Sequence, residues 1–419
     1  MASRGRLKVV RISRLGTWVV LVALLPAVMA ACGGPPAAAR PRAATSAVTA
    51  PGAVAAIGRL VSLAFVSPAD GYGLFVRQSG AVCQDEVGRT TDGGARFSTL
   101  VRVSSWPCAE NAPAAALAVG GHGDGFFYGP GLFVTHDGGR TWEPSRLPGQ
   151  ALAVAALGRS AWMVMAVCPR AGGQSARCGL RLVESADGGR SWSPAPAQPA
   201  GAAVRGSSSG AAAGAAAGQT WLVRTGRSSG YVVSSPRTSP RGLPDQAALW
   251  FTGDAGASWS RRSVPCGAGA LSVVVSAAPD GTLLAVCAGE PGAGFQAKSA
   301  ARSTDGGRSW AVHLPCPGKV MGCPPLNSGY LGSIDAVSGR TAFLAGGRSS
   351  LLITRDGGIR WRMVRPLIGD SGGGTSQVIF FSRSRGVVLG EDGNDNELPT
   401  IWHTSDGGAR WSAVLPRTG

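Results

Sequence analysis

Carboxylates can serve enzymes as acids, bases or nucleophiles, and this chain of 419 residues repeats one aspartate seven times in the same local setting. A Ser or Thr lies two residues before each Asp, a Gly two residues after it and an aromatic residue five after it. The aspartates are Asp92, Asp137, Asp187, Asp254, Asp305, Asp356 and Asp406, and the aromatic residues are Phe97, Trp142, Trp192, Trp259, Trp310, Trp361 and Trp411. Glycoside hydrolysis with retention would need two such carboxyl groups about 5–5.5 Å apart.

The residues around each Asp predict architecture instead of catalysis. An Asp in a tight turn accepts hydrogen bonds from the backbone N–H groups that follow it, and Gly allows the positive φ that such a turn requires. The aromatic ring lies on the outgoing strand, where it is expected to pack between sheets. We call each segment from the Ser or Thr to the aromatic residue a staple turn, and we predict that its Asp is structural.

The staple turns recur at intervals of 45, 50, 67, 51, 51 and 50 residues, with short β-rich runs between them. The pattern [Ser/Thr]-x-Asp-x-Gly-x-x-Trp resembles the Asp-box, or bacterial neuraminidase repeat. That resemblance implies an all-β fold, a single seven-bladed β-propeller over residues 58–416, with four antiparallel strands per blade and an Asp-box at each turn between the third and fourth strands. An open solenoid is the structural alternative.

The N-terminal segment has the order of an export signal. A basic head with Arg4, Arg6 and Lys8 precedes an apolar run, which predicts a signal peptide over residues 1–31. The ending "VMAACGG" resembles the bacterial lipobox, which implies that Cys32 carries lipid and anchors the protein to the extracytoplasmic side of the bacterial cell membrane. A plain secreted protein is the alternative, and the Ala/Pro-rich residues 32–57 are expected to form a tether.

Eight further cysteines favour an oxidising compartment, because an even number of them can pair there. Nearest-neighbour pairing predicts Cys83–Cys108, Cys168–Cys178, Cys266–Cys287 and Cys316–Cys323, although sequence alone allows other connectivities. Zinc binding would require tighter clusters with His than the sequence contains.

One face of the predicted ring has short turns, whereas the other has long connections such as Gly289–Lys298 and Pro315–Ser328. Long loops on a rigid scaffold are where binding residues tend to lie, so we expect recognition on that second face.

The loop "GEDGNDNELP" groups the acids Glu391, Asp392, Asp395 and Glu397. It is either a calcium ligand set or a hydrated acidic turn, and no other cofactor is expected. The low-complexity segment 195–218 is expected to be a mobile loop.

Asp-box propellers include sialidases, and that resemblance would require an Arg cluster, a Tyr–Glu pair and an Asp acid. Their Arg-Ile-Pro motif is absent from this sequence. Tyr330 and Asp335 are the best candidates for the central channel, but no Glu accompanies Tyr330 in sequence. Single seven-bladed propellers also resemble photosystem II assembly factors, which bind protein partners.

The sequence therefore predicts a non-catalytic binding scaffold for an envelope protein or a glycan, with a sialidase-like exo-glycoside hydrolase as the alternative. The formal net charge is +17, or +12 without the five basic residues of the predicted signal peptide, and this balance is compatible with anionic envelope partners. Nucleic acid is not expected as a partner, because no nucleic-acid-binding motif occurs and the protein is predicted to be exported. A monomer is expected.

Overall fold

The computed structural model describes residues 58–108, 115–121, 123–129, 131–168, 177–201, 203–205, 220–235, 247–267, 269–292, 295–313, 325–364, 374–391 and 399–418. These residues form seven antiparallel sheets of four consecutive strands each, which are the blades of a seven-bladed β-propeller. All of the described residues belong to one compact unit. The predicted fold class and blade number are confirmed.

The first four blades are built as follows, from the inner strand outward. Blade 1 contains β1 (Arg59–Phe65), β2 (Gly71–Ser79), β3 (Val82–Thr90) and β5 (Val101–Pro107), with the short β4 (Arg96–Phe97) before its outer strand. Blade 2 contains β6 (Ala116–Val119), β7 (Gly125–Tyr128), β8 (Leu132–Thr135) and β9 (Glu143–Pro144). Blade 3 contains β10 (Gln150–Leu157), β11 (Ser160–Val167), β12 (Arg177–Ser185) and β13 (Ser193–Pro194), and β14 (Ala203–Arg205) also pairs with β12. Blade 4 contains β15 (Thr220–Arg224), β16 (Gly230–Ser234), β17 (Ala248–Thr252) and β18 (Ser260–Arg262).

The remaining blades follow the same order. Blade 5 contains β19 (Ser272–Ala277), β20 (Leu283–Gly292), β21 (Phe295–Ser303) and β22 (Ala311–His313). The 3-10 helix η1 (Pro325–Asn327) leads into blade 6, which contains β23 (Ile334–Ala336), β24 (Ala342–Gly346), β25 (Ser349–Thr354) and β26 (Arg362–Met363). Blade 7 contains β27 (Gly374–Phe380), β28 (Gly386–Glu391), β29 (Thr400–Thr404) and β30 (Ser412–Val414), and the chain ends with β31 (Arg417–Thr418).

The ring closes between blades 7 and 1 without an exchanged strand. The inner strands contact one another in cyclic order, β1, β6, β10, β15, β19, β23, β27 and back to β1. At the closure, the side-chain amide of Gln377 accepts the N–H of Leu63 at 2.8 Å and donates to its carbonyl at 2.7 Å. On the outside, β31 pairs in parallel with β4, so the closure extends past the predicted boundary at Pro416.

Each staple turn joins the third and fourth strands of its blade and lies on the same face as the turn between the first and second strands. In six blades the N–H of the residue after the Asp donates to a carbonyl of that other turn, at 2.7–3.1 Å, as from Gly357 to Arg340. We call this side the staple face and the opposite side the loop face.

The staple turns also attach each blade to the one before it. A Cβ placed on Gly408 would lie 2.7 Å from Cε1 of Phe343 in the preceding blade, and the same Gly in every staple turn faces a side chain of the preceding blade. These glycines have φ between 81° and 96°. Four of the staple tryptophans, Trp142, Trp192, Trp259 and Trp411, pack edge-on against an aromatic ring of the preceding blade, as Trp142 does against Tyr72 with ring centroids 5.9 Å apart. The repeat therefore builds the interface between blades as well as the turn within each blade.

Three disulfides join neighbouring segments at the loop face. Cys83 is bonded to Cys108, Cys168 to Cys178 and Cys266 to Cys287, which confirms three of the predicted pairs. Their presence indicates an oxidising, extracytoplasmic environment. The fourth predicted pair, Cys316 and Cys323, lies outside the described residues, as do the signal segment with Cys32 and the tether.

Two predicted loops differ from the structure. The described residues of the segment Gly289–Lys298 are paired strands, because β20 and β21 continue their pairing as far as Gly292 and Phe295. The start of the low-complexity segment is packed against blade 3: Ala195 is 5% exposed, and Gln198 bonds both backbone groups of Leu182 at 2.7 and 3.0 Å. Within the described ranges, no helix is both long and apolar enough to cross a membrane.

Candidate functional site

The seven staple aspartates have one shared set of hydrogen bonds. In every staple turn, the Asp Oδ1 accepts the Ser or Thr hydroxyl at 2.7–3.0 Å and the N–H four residues later at 2.9–3.0 Å. The hydroxyl oxygen in turn accepts the N–H of the following Gly at 2.7–2.9 Å. Each carboxylate therefore closes its own turn, and the seven are distributed over seven blades.

These hydrogen bonds favour the ionised carboxylate. At Asp137, burial is the largest single influence and would raise the pKa, but hydrogen bonds from Thr141 and Thr135 together outweigh it and lower the pKa to about 2. A carboxylate with a lowered pKa in the fold stabilises the protein above its unfolded pKa, and that contribution is lost as pH falls towards the folded value. A general acid needs the opposite shift, so these groups are suited to structure.

Removal of one staple hydroxyl tests the structural role of the staple-turn hydrogen bonds. Ser303→Ala is expected to lower the free energy of unfolding by about 1–2 kcal/mol, because the buried N–H of Gly307 loses its acceptor. Chemical denaturation measures the change. Ser299→Ala, on the same strand but outside the turn, is the control, and equal stability of the two variants would contradict the assigned role.

Asp335 is the one carboxylate on the seven inner strands, all of which the structure describes. It lies half-buried on β23, and its Oδ2 accepts the N–H of Phe380 in blade 7 at 2.7 Å. Burial raises the pKa of Asp335 to about 6, although the hydrogen bond from Phe380 opposes that shift. The carboxyl group thus joins the inner strands of blades 6 and 7.

Tyr330 lies just before this strand, at the loop face. Its N–H donates to the carbonyl of Gly347 at 2.7 Å, and the guanidinium of Arg348 lies over its ring, 5.8 Å from the centroid. Arg348 is exposed and has φ of 57°, a conformation that non-glycine residues rarely adopt. The sequence predicted Tyr330 and Asp335 as channel residues, but it gave no signal for Arg348.

Lys298 fixes the segment that leads to Tyr330. It is 5% exposed, and its Nζ donates to the carbonyls of Gln296, Ser328 and Gly329 at 3.3, 3.1 and 2.8 Å. Burial lowers the pKa of Lys298 to about 8, so the group is still charged at neutral pH. The side chain of Gln296 also bonds the N–H of Leu331 at 2.7 Å. The one sequence signal was the rarity of lysine, which occurs three times in the chain.

Two further acids are buried on opposite faces of β3 in blade 1. Asp85 is 1% exposed and accepts the hydroxyl of Ser104, and burial raises its pKa to about 6. Glu86 is 5% exposed and pairs with Arg77, whose Nε donates at 2.8 Å. Adjacent acids on a strand must face opposite sides, so these two groups cannot form a catalytic pair.

The pH dependence of stability tests the state of Asp85. Because its folded pKa lies above the usual 3.8, the folded state binds more protons between pH 4 and 6, and stability falls as pH rises through that window. Between pH 4.5 and pH 7.5, the ionisation of Asp85 is expected to lower the free energy of unfolding by about 2 kcal/mol. Asp85→Asn should remove that part of the slope in urea denaturation. Ser104→Ala should steepen the slope, and an unchanged slope in Asp85→Asn would refute the assignment.

Most of the predicted acidic loop, residues 391–397, lies outside the described residues. Asp392, Asp395 and Glu397 lie outside the described residues, and of Glu391 only the backbone is described. Within the described ranges, no three His, Cys, Asp or Glu residues are grouped so that they could hold a metal ion. Calcium binding by this loop therefore stays a prediction.

A surface cavity of about 760 Å³ opens on the staple face beside Arg89, Arg96 and Arg140. Arg89 pairs with Asp70 through bonds of 3.0 and 3.1 Å, and Arg140 donates to the carbonyl of Asp137 at 3.0 Å. Two of its three guanidinium groups are therefore engaged in holding turns.

No protein-family model matches the sequence, and comparison with curated proteins yields no match either. Solved structures do match. A structure of YCF48 bound to D1 peptide is 18% identical, with 84% of this chain and 95% of that chain covered and a TM-score of 0.52. The GH74 xyloglucanase from Xanthomonas campestris is 15% identical, with 86% of this chain covered and a TM-score of 0.51.

The chain spans about half of that xyloglucanase, 54% of its length. A sialidase from Trypanosoma rangeli is similar over 84% of this chain and 55% of its own chain, at 13% identity and with a lower TM-score of 0.40. At these identities the first two matches establish a shared propeller fold, which occurs in both binding proteins and hydrolases.

Proposed function

We propose that this protein is an extracytoplasmic, lipid-anchored β-propeller that binds a protein partner in the cell envelope without catalysing a reaction. The observation that carries the proposal is that the staple aspartates and Asp335 are engaged in hydrogen bonds that hold the fold. The staple aspartates close their own turns, and Asp335, the one acid on the inner strands, accepts the N–H of Phe380 from the next blade. Groups that a hydrolase would use as acid and nucleophile are engaged here in holding the ring.

The single ring supports the same proposal. The chain covers 95% of YCF48, whose structure contains a bound peptide, against 54% of the xyloglucanase. A rigid ring whose blades are joined by staple turns, and whose loop face carries disulfides, suits recognition, because little ordering entropy is lost when a partner docks.

The test is capture of a partner from native membranes. The full-length protein, with a C-terminal affinity tag, is cross-linked in cells and purified, and its covalent partners are identified by mass spectrometry. We expect one envelope protein to be enriched over a tagged, unrelated lipoprotein. Absence of any protein enriched over that control would refute the proposal.

A glycoside hydrolase is the second candidate, and one observation favours it. Asp335 is half-buried on the inner strand, and its raised pKa of about 6 is in the range of a general acid. A panel of fluorogenic glycosides tests this alternative. Turnover that disappears in Asp335→Asn, while the variant keeps its fold, would establish it, and absence of turnover across the panel would exclude these substrates.

A further inference from the structure

We propose that Phe295, Tyr330 and Arg348 form the contact patch on the loop face, and that its partner presents an apolar side chain beside a carboxylate. This inference rests on the proposed function and identifies where the partner binds. We call these three residues the blade 5–6 patch.

The three residues are linked through the segment that runs from Ser328 to Tyr330. Phe295 begins β21 and forms an antiparallel bridge with Ser328, two residues before Tyr330. The guanidinium of Arg348 lies over the ring of Tyr330. Residues far apart in sequence thus meet at the loop-face ends of blades 5 and 6.

Phe295 supplies the apolar part of the patch. It lies at the tip of the hairpin formed by β20 and β21, and 44% of its surface is exposed. The neighbouring side chains on the same strand, Gln296 and Lys298, are buried and hydrogen-bonded, so the exposed ring is held on a rigid base. Aromatic residues on rigid supports are the usual anchors of protein interfaces.

Arg348 supplies the charged part. Its positive φ would suit Gly at lower strain, so the backbone gives no reason for an arginine at this position. The turn is confined as well, because a Cβ on Gly374 would lie 2.4 Å from the N atom of Arg348. Among the described residues no carboxylate pairs with Arg348, and its guanidinium is therefore available to a carboxylate from outside.

The patch is preorganised by residues beneath it. Lys298 and Gln296 hold the segment from Ser328 to Leu331, and the side chain of Asn327 accepts the N–H of Lys298 at 2.9 Å. A preorganised aromatic and arginine pair loses little entropy on binding, which is how a small patch can dominate the affinity of an interface.

The test uses the captured partner and four variants of the full-length protein. Phe295→Ser and Arg348→Glu alter the patch. Val312→Ser, at a side chain that is 46% exposed on the outer strand β22, and Arg362→Glu, on the exposed outer strand β26, are matched controls. All four positions are at the surface, and thermal unfolding checks that each variant retains the wild-type midpoint.

We expect each patch variant to weaken partner binding roughly tenfold or more, and each control to change it by less than about twofold. A partner in which the contacted Asp or Glu is changed to Lys should regain binding to Arg348→Glu. Patch variants that bind like the wild type would overturn this inference and leave the proposed function intact. If the wild-type protein captures no partner, the proposed function itself fails.

Discussion

Replacing Phe343 by Ala is expected to lower the free energy of unfolding by about 3–5 kcal/mol. Phe343 is fully buried between blades 6 and 7, where it stacks on Phe380 with centroids 4.1 Å apart and meets Trp411 edge-on at 6.4 Å. Its ring also fills the space beside Gly408 of the staple turn. Truncation removes these contacts at once and leaves a cavity that a rigid pair of sheets cannot close.

Equilibrium denaturation measures this loss. Ile359→Ala is the control, because Ile359 lies in the staple turn of blade 6 and is 56% exposed, and its change should remain within about 0.5 kcal/mol. A loss of less than about 1 kcal/mol in Phe343→Ala would show that the blades do not depend on this contact.

Replacing Lys298 by Met is expected to lower the free energy of unfolding by about 3 kcal/mol, because three carbonyls, bound through two buried hydrogen bonds and one part-buried one, lose a charged donor together. Lys298→Arg should not restore stability. A planar guanidinium is larger than an ammonium and cannot direct donors to three carbonyls that converge on one atom.

Hydrogen exchange distinguishes a local from a general effect. The amide of Leu331, which donates to Gln296, should exchange faster in Lys298→Met, whereas the amide of Gly94 in blade 1 should keep its protection. Stability equal to that of the wild type, with unchanged exchange at Leu331, would show that the carbonyls have other partners.

The number of blades and the position of each staple turn followed from the sequence by itself. The hydrogen bonds of a staple turn join residues no more than four apart, so the pattern around each Asp determines them wherever it occurs. Three disulfides were predicted for a similar reason: their cysteines are 10 to 25 residues apart, and short loops close easily.

Only the tertiary structure shows which residues come together in the candidate binding patch. Phe295 meets Ser328, and Tyr330 meets Arg348, because strands of two blades end at the same corner of the loop face. The contact of Gln377 with Leu63, 314 residues apart, likewise depends on ring closure. Local residue patterns determine turns, whereas burial and contacts between blades depend on which surfaces the closed ring brings together. The shifted pKa of Asp85 has the same origin, because only packing removes its carboxyl group from water.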